Sequence, residues 1–308
     1  MTLQQLEYLL AVNEYRHFGR AAEACNVTQP TLSAMIQKLE EELGVKLFVR
    51  SSQPVYPTTL GEKIIKKAYS IIKQSQEIKE LVIEENHTIS GSLHLGVLPT
   101  IAPYLLPRFY PQFQAKYPAL DLRVYELKVE KIEEQLLQGD LDIAIIATHP
   151  ESKRLEVHSL FYEEFYVYLA VSDPLFKEEF IRTSEIKGDH LWLLDEGHCF
   201  RDQLVKFCNI KGVESSRQSY NLGSIETFMR MVEGGKGLTL IPELSLLQLT
   251  AYQKELVRPF AIPRPARQIR LVTGKDFIRQ SLLYKLQEAI VSSVPSTMHE
   301  LKNTQYLV

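Results

Sequence analysis

From Thr59 to about Asn86, small and apolar side chains recur at alternating steps of four and three, through Ile64, Ala68, Ile71, Ser75, Ile78 and Val82. This is the spacing that keeps one seam of a helix against a partner helix. A helix of roughly 28 residues reaches about 40 Å. No second seam of this length exists in the chain, so the simplest partner is a second copy, and a dimer is expected. The seam also divides the sequence. Helical periodicity precedes it, and strand and helix patterns alternate after Ile89-Ser90-Gly91.

Before the seam, Thr2-Leu3-Gln4-Gln5 fits a capping box, and Leu3, Leu6, Leu10 and Phe18 supply an apolar face for a first helix ending before His17-Phe18-Gly19. A second short helix, Arg20 to Cys25, closes at Asn26, and Thr28 caps a third with Pro30 in its first turn, where a missing N–H costs little. Leu32, Ile36, Leu39 and Leu43 face inward. Gln29, Thr31, Ser33, Gln37 and Lys38 are left facing outward, with Pro30 beside them. Two helices around a tight turn, the second presenting short hydrogen-bonding side chains, suit reading of a DNA major groove; a merely solvated face is the alternative. The stretches Gly44 to Arg50 and Ser51 to Pro57 read as two strands of a wing, with Arg50 at its edge set to meet a phosphate. Thr59-Leu60-Gly61-Glu62 reads as a second capping box that opens the long helix.

After the seam, strands are expected at Ser92–Val97, Leu120–Tyr125, Asp142–Ile146, Phe165–Val171, Leu191–Leu194, Leu238–Pro242 and Arg270–Thr273, with helices between them. Such alternation predicts parallel sheets with crossover helices. More than 200 residues, with strands on both sides of Glu163-Glu164, suggest two α/β lobes. A cleft at the strand carboxyl ends is where such folds bind ligands, and Thr100 and Cys199 both follow predicted strands. The expected architecture is an all-α winged helix-turn-helix head (1–58), a linker and dimerisation helix (59–88) and an α/β regulatory domain (89–308). Within the last, lobe I comprises about 89–163 and 268–308, and lobe II about 164–267.

Asp195 to Cys208 holds two of the three cysteines of the 308-residue chain and sets His198, Arg201 and Asp202 around Cys199. Nearby positive charge, and a helix N-terminus after Gly197-His198, favour the reactive thiolate. Two ordinary buried thiols are the alternative. If residues 199 to 208 form one helix, the two backbones lie roughly 13 Å apart on opposite faces. A disulfide needs Cα atoms about 4.4–6.8 Å apart, so these thiols meet only if that helix melts. Leu204 and Phe200 share a face with Cys208, which turns it toward the core; Cys25 reads as core packing of the second helix.

Net charge is −3, and residues 1–67 carry eight Lys/Arg against seven Asp/Glu, so charge neither supports nor excludes a nucleic-acid partner. No run of about 18 apolar residues suggests a membrane span, and the N-terminus lacks a secretory signature. A cytoplasmic location is expected, where disulfides tend to be transient or redox-sensing. A metal site from His190, His198, Cys199 and Cys208 matches no common ligand spacing.

These residues carry a family resemblance along essentially the whole chain. Ala21-Ala22-Glu23, Val27 to Ser33 and Leu39 to Arg50 resemble the winged helix-turn-helix of LysR-type transcriptional regulators, and Thr58-Thr59-Leu60-Gly61 resembles the start of their linker helix. Leu137 to Ile145 and Val232 to Leu238 resemble their regulatory domain, which is similar to periplasmic binding proteins. Within that family, Glu196 to Gln203 with Cys208 looks like the members that sense hydrogen peroxide. The resemblance makes Cys199 the peroxide-reacting thiol and Cys208 its resolving partner in a reversible disulfide. It places Thr100, His198, Arg201 and Asp202 around the reactive sulfur. Val129 departs from a threonine and Gln218 from a histidine found in such members. The resemblance implies a regulator of oxidative-stress genes and not an enzyme, without cofactor or metal. Its implied partners are double-stranded promoter DNA, hydrogen peroxide, RNA polymerase and cellular thiol reductants. It also implies a homodimer through the linker helix and regulatory domain, and a tetramer on DNA. A family member that binds a small metabolite non-covalently, and a thiol peroxidase, are the rival classes.

Overall fold

A computed structural model describes the chain except for residues 51–52, 86–87, 188–190, 195–199, 201–202, 204–206 and 208–223, and the side chains at 76 and 79. The chain divides into two compact units, Met1–Asn86 and His87–Val308.

The first unit opens with α1 (Leu3–Tyr15), capped by Thr2 in a complete capping box with Gln5 and stopped by Arg16 in the left-handed region. α2 (Phe18–Ala24) starts earlier than expected. The His17 side chain accepts the Gly19 and Arg20 N–H groups, so His17 is a helix cap and not part of a turn, and Phe18 belongs to α2. α3 (Gln29–Leu43) begins at Thr28, which accepts the Thr31 N–H, and ends at Gly44 with φ +68°, a conformation that favours glycine. Leu32, Ile36 and Leu39 are fully buried, whereas Leu43, expected inside, is exposed at the helix end.

The wing is two short antiparallel strands, β1 (Phe48–Val49) and β2 (Tyr56–Pro57), so the head is not purely helical. α4 (Thr59–Glu85) is capped one residue earlier than predicted: Thr58 Oγ1 accepts the Gly61 N–H at 2.9 Å and donates to Lys46 O at 2.9 Å. Gly61 is required there because a Cβ would collide with the Leu47 carbonyl oxygen. The predicted seam serves two purposes along its length. Ala68, with Ile65, lies in the core of the head, while Ile78 and Val82 stand in solvent at 65% and 60% exposure.

In the second unit, β3 (Gly91–Val97) lies between β4 (Leu120–Glu126) and β5 (Ile143–Ile146), parallel to both. α5 (Ala102–Lys116) and α6 (Val129–Gln138) follow β3 and β4. The predicted all-parallel sheet does not hold further on. β6 (Leu155–Leu169) and β10 (Arg264–Gly274) are long and antiparallel to one another, and β10 is antiparallel to β5. β6 runs through both halves of the unit: it pairs with β10 as far as Glu164 and from Phe165 with β8 (Leu238–Pro242), with β9 (Val257–Pro259) also alongside. β7 (Leu191–Trp192) runs parallel to β8. α7 (Ile225–Glu233), capped by Ser224, leads into β8, and α8 (Ala251–Glu255) leads into β9. α9 (Gln280–Ser293) follows β10, and β11 (Gln305–Leu307) adds to β10 in parallel. One apolar core runs through the whole unit.

The antiparallel crossing strands are the physical reason for the correction. Glu163 and Glu164, expected between two strands, lie instead inside the single strand β6, buried by arginines of β10, and β6 changes partner from β10 to β8 directly after them.

Candidate functional site

Thr100 follows β3 at the entry to α5 and is 4% exposed. Its hydroxyl accepts a hydrogen bond from Arg267 Nη1 at 3.1 Å, and its carbonyl accepts one from Nη2 at 3.1 Å. Arg267, on β10, has no solvent exposure and pairs with Glu163 Oε1, with Nε at 2.8 Å and Nη2 at 2.6 Å. A guanidinium without solvent needs such a carboxylate, because an unpaired buried charge costs several kcal/mol. While its oxygen accepts from arginine, the Thr100 hydroxyl keeps a proton that it can donate.

Aromatic rings enclose this pair. Phe165 lies 5.6 Å and Phe200 5.0 Å from the guanidinium carbon, and the two rings meet edge to face at 5.1 Å. Phe200 follows Cys199 in the chain. Tyr104, on α5, has a buried hydroxyl without a hydrogen-bond partner of ordinary geometry. Burial first, and the Glu226 carboxylate second, hold its phenol far above the usual range, so it stays protonated at neutral pH.

Of the stretch around the two cysteines, Phe200, Gln203 and Phe207 are described, each with helical backbone. Gln203 donates to Ala147 O at 3.1 Å and Val308 O at 3.3 Å. The Phe207 ring lies 6.5 Å from Phe260 and 5.6 Å from Tyr306. Cys199, Cys208, His198, Arg201, Asp202 and Gln218 lie outside the described residues. Val129 is the first residue of α6 and packs against the core. Among the described residues no three His, Cys, Asp or Glu side chains are grouped to hold a metal ion, and no helix is long and apolar enough to cross a membrane.

On the head, Gln29, Pro30, Thr31, Gln37 and Lys38 are exposed and Ser33 is half-buried, all on α3. Thr31 shares a hydroxyl hydrogen bond with Thr28 at 2.8 Å, and Gln37 donates to Glu41 at 2.9 Å. Arg50 is tethered, with Nη2 on Glu40 Oε2 at 3.2 Å and Nη1 on Ser33 Oγ at 3.4 Å, and it caps the ring of Phe18 at 5.1 Å. The buried Glu40 also accepts the Leu47 N–H at 2.8 Å and Lys46 Nζ at 3.2 Å, so one carboxylate fixes the wing to α3. Cys25 is half-buried at the end of α2; burial first, then Glu7 and Glu14, push its thiol up, away from the reactive form.

Sequence reasoning passed over Arg267, Glu163 and Glu40. Their available signal was acidic residues at positions that the surrounding pattern buries. Their partners lie far along the chain, 104 residues away for Glu163 and Arg267.

Two family descriptions match the chain: the bacterial regulatory helix-turn-helix of the LysR family over residues 3–62, and the LysR substrate binding domain over residues 86–293. The hydrogen peroxide-inducible genes activator of Haemophilus influenzae is 34% identical over 302 residues, covering 98% of this chain and 100% of that protein. A full-length OxyR variant from Pseudomonas aeruginosa is 34% identical with a TM-score of 0.75, covering 94% of this chain and 98% of that one. OxyR from Porphyromonas gingivalis is 48% identical with a TM-score of 0.67, covering 71% of this chain and 99% of that one.

Proposed function

The chain belongs to the LysR family of transcriptional regulators, and from that membership we propose that it detects hydrogen peroxide through Cys199 and switches by a reversible Cys199–Cys208 disulfide. It is a DNA-binding regulator rather than an enzyme. The observation that carries the redox reading is the packing of Phe200, the residue after Cys199, against Arg267, whose guanidinium also binds Thr100.

In the proposed chemistry the Cys199 thiolate attacks one oxygen of the peroxide. An S–O bond forms, the O–O bond breaks, and the departing hydroxide takes a proton to leave as water. Arg201 and a helix N-terminus supply positive charge, while Arg267, neutralised by Glu163, fixes the Thr100 hydroxyl. Thr100 and Asp202 hold the peroxide and assist delivery of the proton to the leaving oxygen. His198 borders the thiol. The Cys208 thiolate then attacks the sulfenic sulfur, expelling hydroxide and closing the disulfide. A cellular thiol reductant supplies the two electrons that reopen it. With residues 199 to 208 as one helix, as the sequence suggests, the chain between the two cysteines must refold for the sulfurs to meet.

That refolding changes regulatory-domain contacts between subunits of a homodimer, which the exposed distal face of α4 also joins, or of a tetramer on DNA. The paired heads then shift on promoter DNA and alter recruitment of RNA polymerase at oxidative-stress genes. Gln29, Pro30, Thr31, Ser33, Gln37 and Lys38 face the groove, and Arg50 meets a phosphate. Domain limits of 1–58, 59–88 and 89–308, with the two lobes meeting near residue 163, are the working division. The test is Cys199→Ser in a peroxide-responsive reporter strain. Loss of induction supports the reading, and full induction by that variant sinks it.

A further inference from the structure

After α9 the chain returns to the place where β6 leaves β10. β11 runs parallel to Arg264–Ala266 at the start of β10, and the Val308 N–H donates to Ala266 O at 3.0 Å. Gln305 ties this strand to β6 as well. Its Oε1 accepts the Lys302 N–H at 2.8 Å, and its Nε2 donates to the buried Glu164 Oε1 at 2.9 Å. Glu164 is the last residue of β6 paired with β10, and its other oxygen accepts from Tyr166 at 3.2 Å and Arg264 at 3.3 Å. The same short strand also touches the cysteine-bearing stretch, through Val308 O on Gln203 at 3.3 Å and Tyr306 on Phe207 at 5.6 Å.

We propose that β11 couples the cysteine-bearing stretch to the crossing strands, with Tyr306 and Gln305 as positioning residues of the switch. The proposal rests on the disulfide reading above. Cys208 is bonded to Phe207, so drawing Cys208 toward Cys199 withdraws the ring on which Tyr306 rests. Gln203 lies between the two cysteines in sequence, and its bonds to Ala147 and Val308 span the same refolding segment. β11 is then held by its pairing with the start of β10 and by Gln305 on Glu164, and a change at either acts where β6 passes from one half of the sheet to the other. The strand is suited to this because it is short, three residues paired with the start of β10, and one buried carboxylate and one ring are among its contacts. Segments with few fixed contacts open at low cost.

Tyr306 is half-exposed, so Tyr306→Ala leaves the fold intact and isolates the coupling. In the untreated full-length variant, hydrogen exchange at residues 203–208 should rise roughly 3- to 10-fold, the scale of a lost aromatic pair. After peroxide treatment the variant should still form the Cys199–Cys208 link, while its reporter induction falls several-fold below wild type. Unchanged exchange in the untreated variant, or wild-type induction by it, overturns the coupling. Absence of the link in peroxide-treated wild type overturns the redox reading instead, and the untreated exchange comparison still decides whether β11 and the cysteine-bearing stretch are coupled.

Discussion

Each unit of the chain contains a buried glutamate paired with an arginine, and the two pairs are built in opposite senses. In the head, Glu40 is the sealed partner, and Arg50 keeps about a third of its side chain in water. In the regulatory unit both partners are sealed, Arg267 fully and Glu163 at 1%. Glu40 has other donors, two backbone N–H groups of the wing and Lys46, so Arg50 is not needed to satisfy it. Glu163 otherwise has the Leu244 N–H at 3.4 Å. The difference separates an arginine positioned by the fold to face outward from one enclosed to hold an internal site. An outward guanidinium suits a phosphate; an enclosed one, neutralised by Glu163, suits fixing the Thr100 hydroxyl.

The sharpest way to break this comparison is Arg267→Leu. It leaves a buried carboxylate nearly alone, and the expected loss is about 3–5 kcal/mol of stability, read as a lower denaturant midpoint. Adding Glu163→Leu should restore a large part of that loss, because the cost is mainly the unpaired charge. If the double variant is no more stable than the single one, the pair is not organised as described. The corresponding change in the head, Arg50→Ala, should move stability little, since the pair is partly exposed and Glu40 keeps its other donors. It should weaken promoter binding roughly uniformly across sequences and reduce the slope of log affinity against log salt by about 1. An unchanged slope removes Arg50 from the DNA-facing set.

The sequence was informative where structure is set by neighbours in the chain. Thr2, Thr28 and Ser224 cap the helices expected of them, and the apolar runs of β5 and β8 are wholly buried. It misled where a distant partner decides. Thr59 read as the cap of the long helix, but Thr58, held by Lys46 O on the wing, takes that place. Glu163-Glu164 was read as lying between two strands, yet Arg264 and Arg267 arrive about a hundred residues later and bury both acids within one continuous strand, β6, whose partner changes from β10 to β8 just after them. The Thr100 site was half visible for the same reason. Thr100 is marked by its place after β3, whereas the guanidinium that organises it is on a strand whose pairing no local pattern reveals.

The central claim is that two cysteines of the three form the switch. Cys25 provides the internal contrast, because burial and two nearby carboxylates keep its thiol protonated. Non-reducing peptide mapping of the full-length protein, before and after brief peroxide treatment, tests this directly. A new Cys199–Cys208 linked peptide that disappears on reduction is expected, with Cys25 unlinked throughout. A promoter response to peroxide with no such link, or with Cys25 as the linked residue, contradicts it.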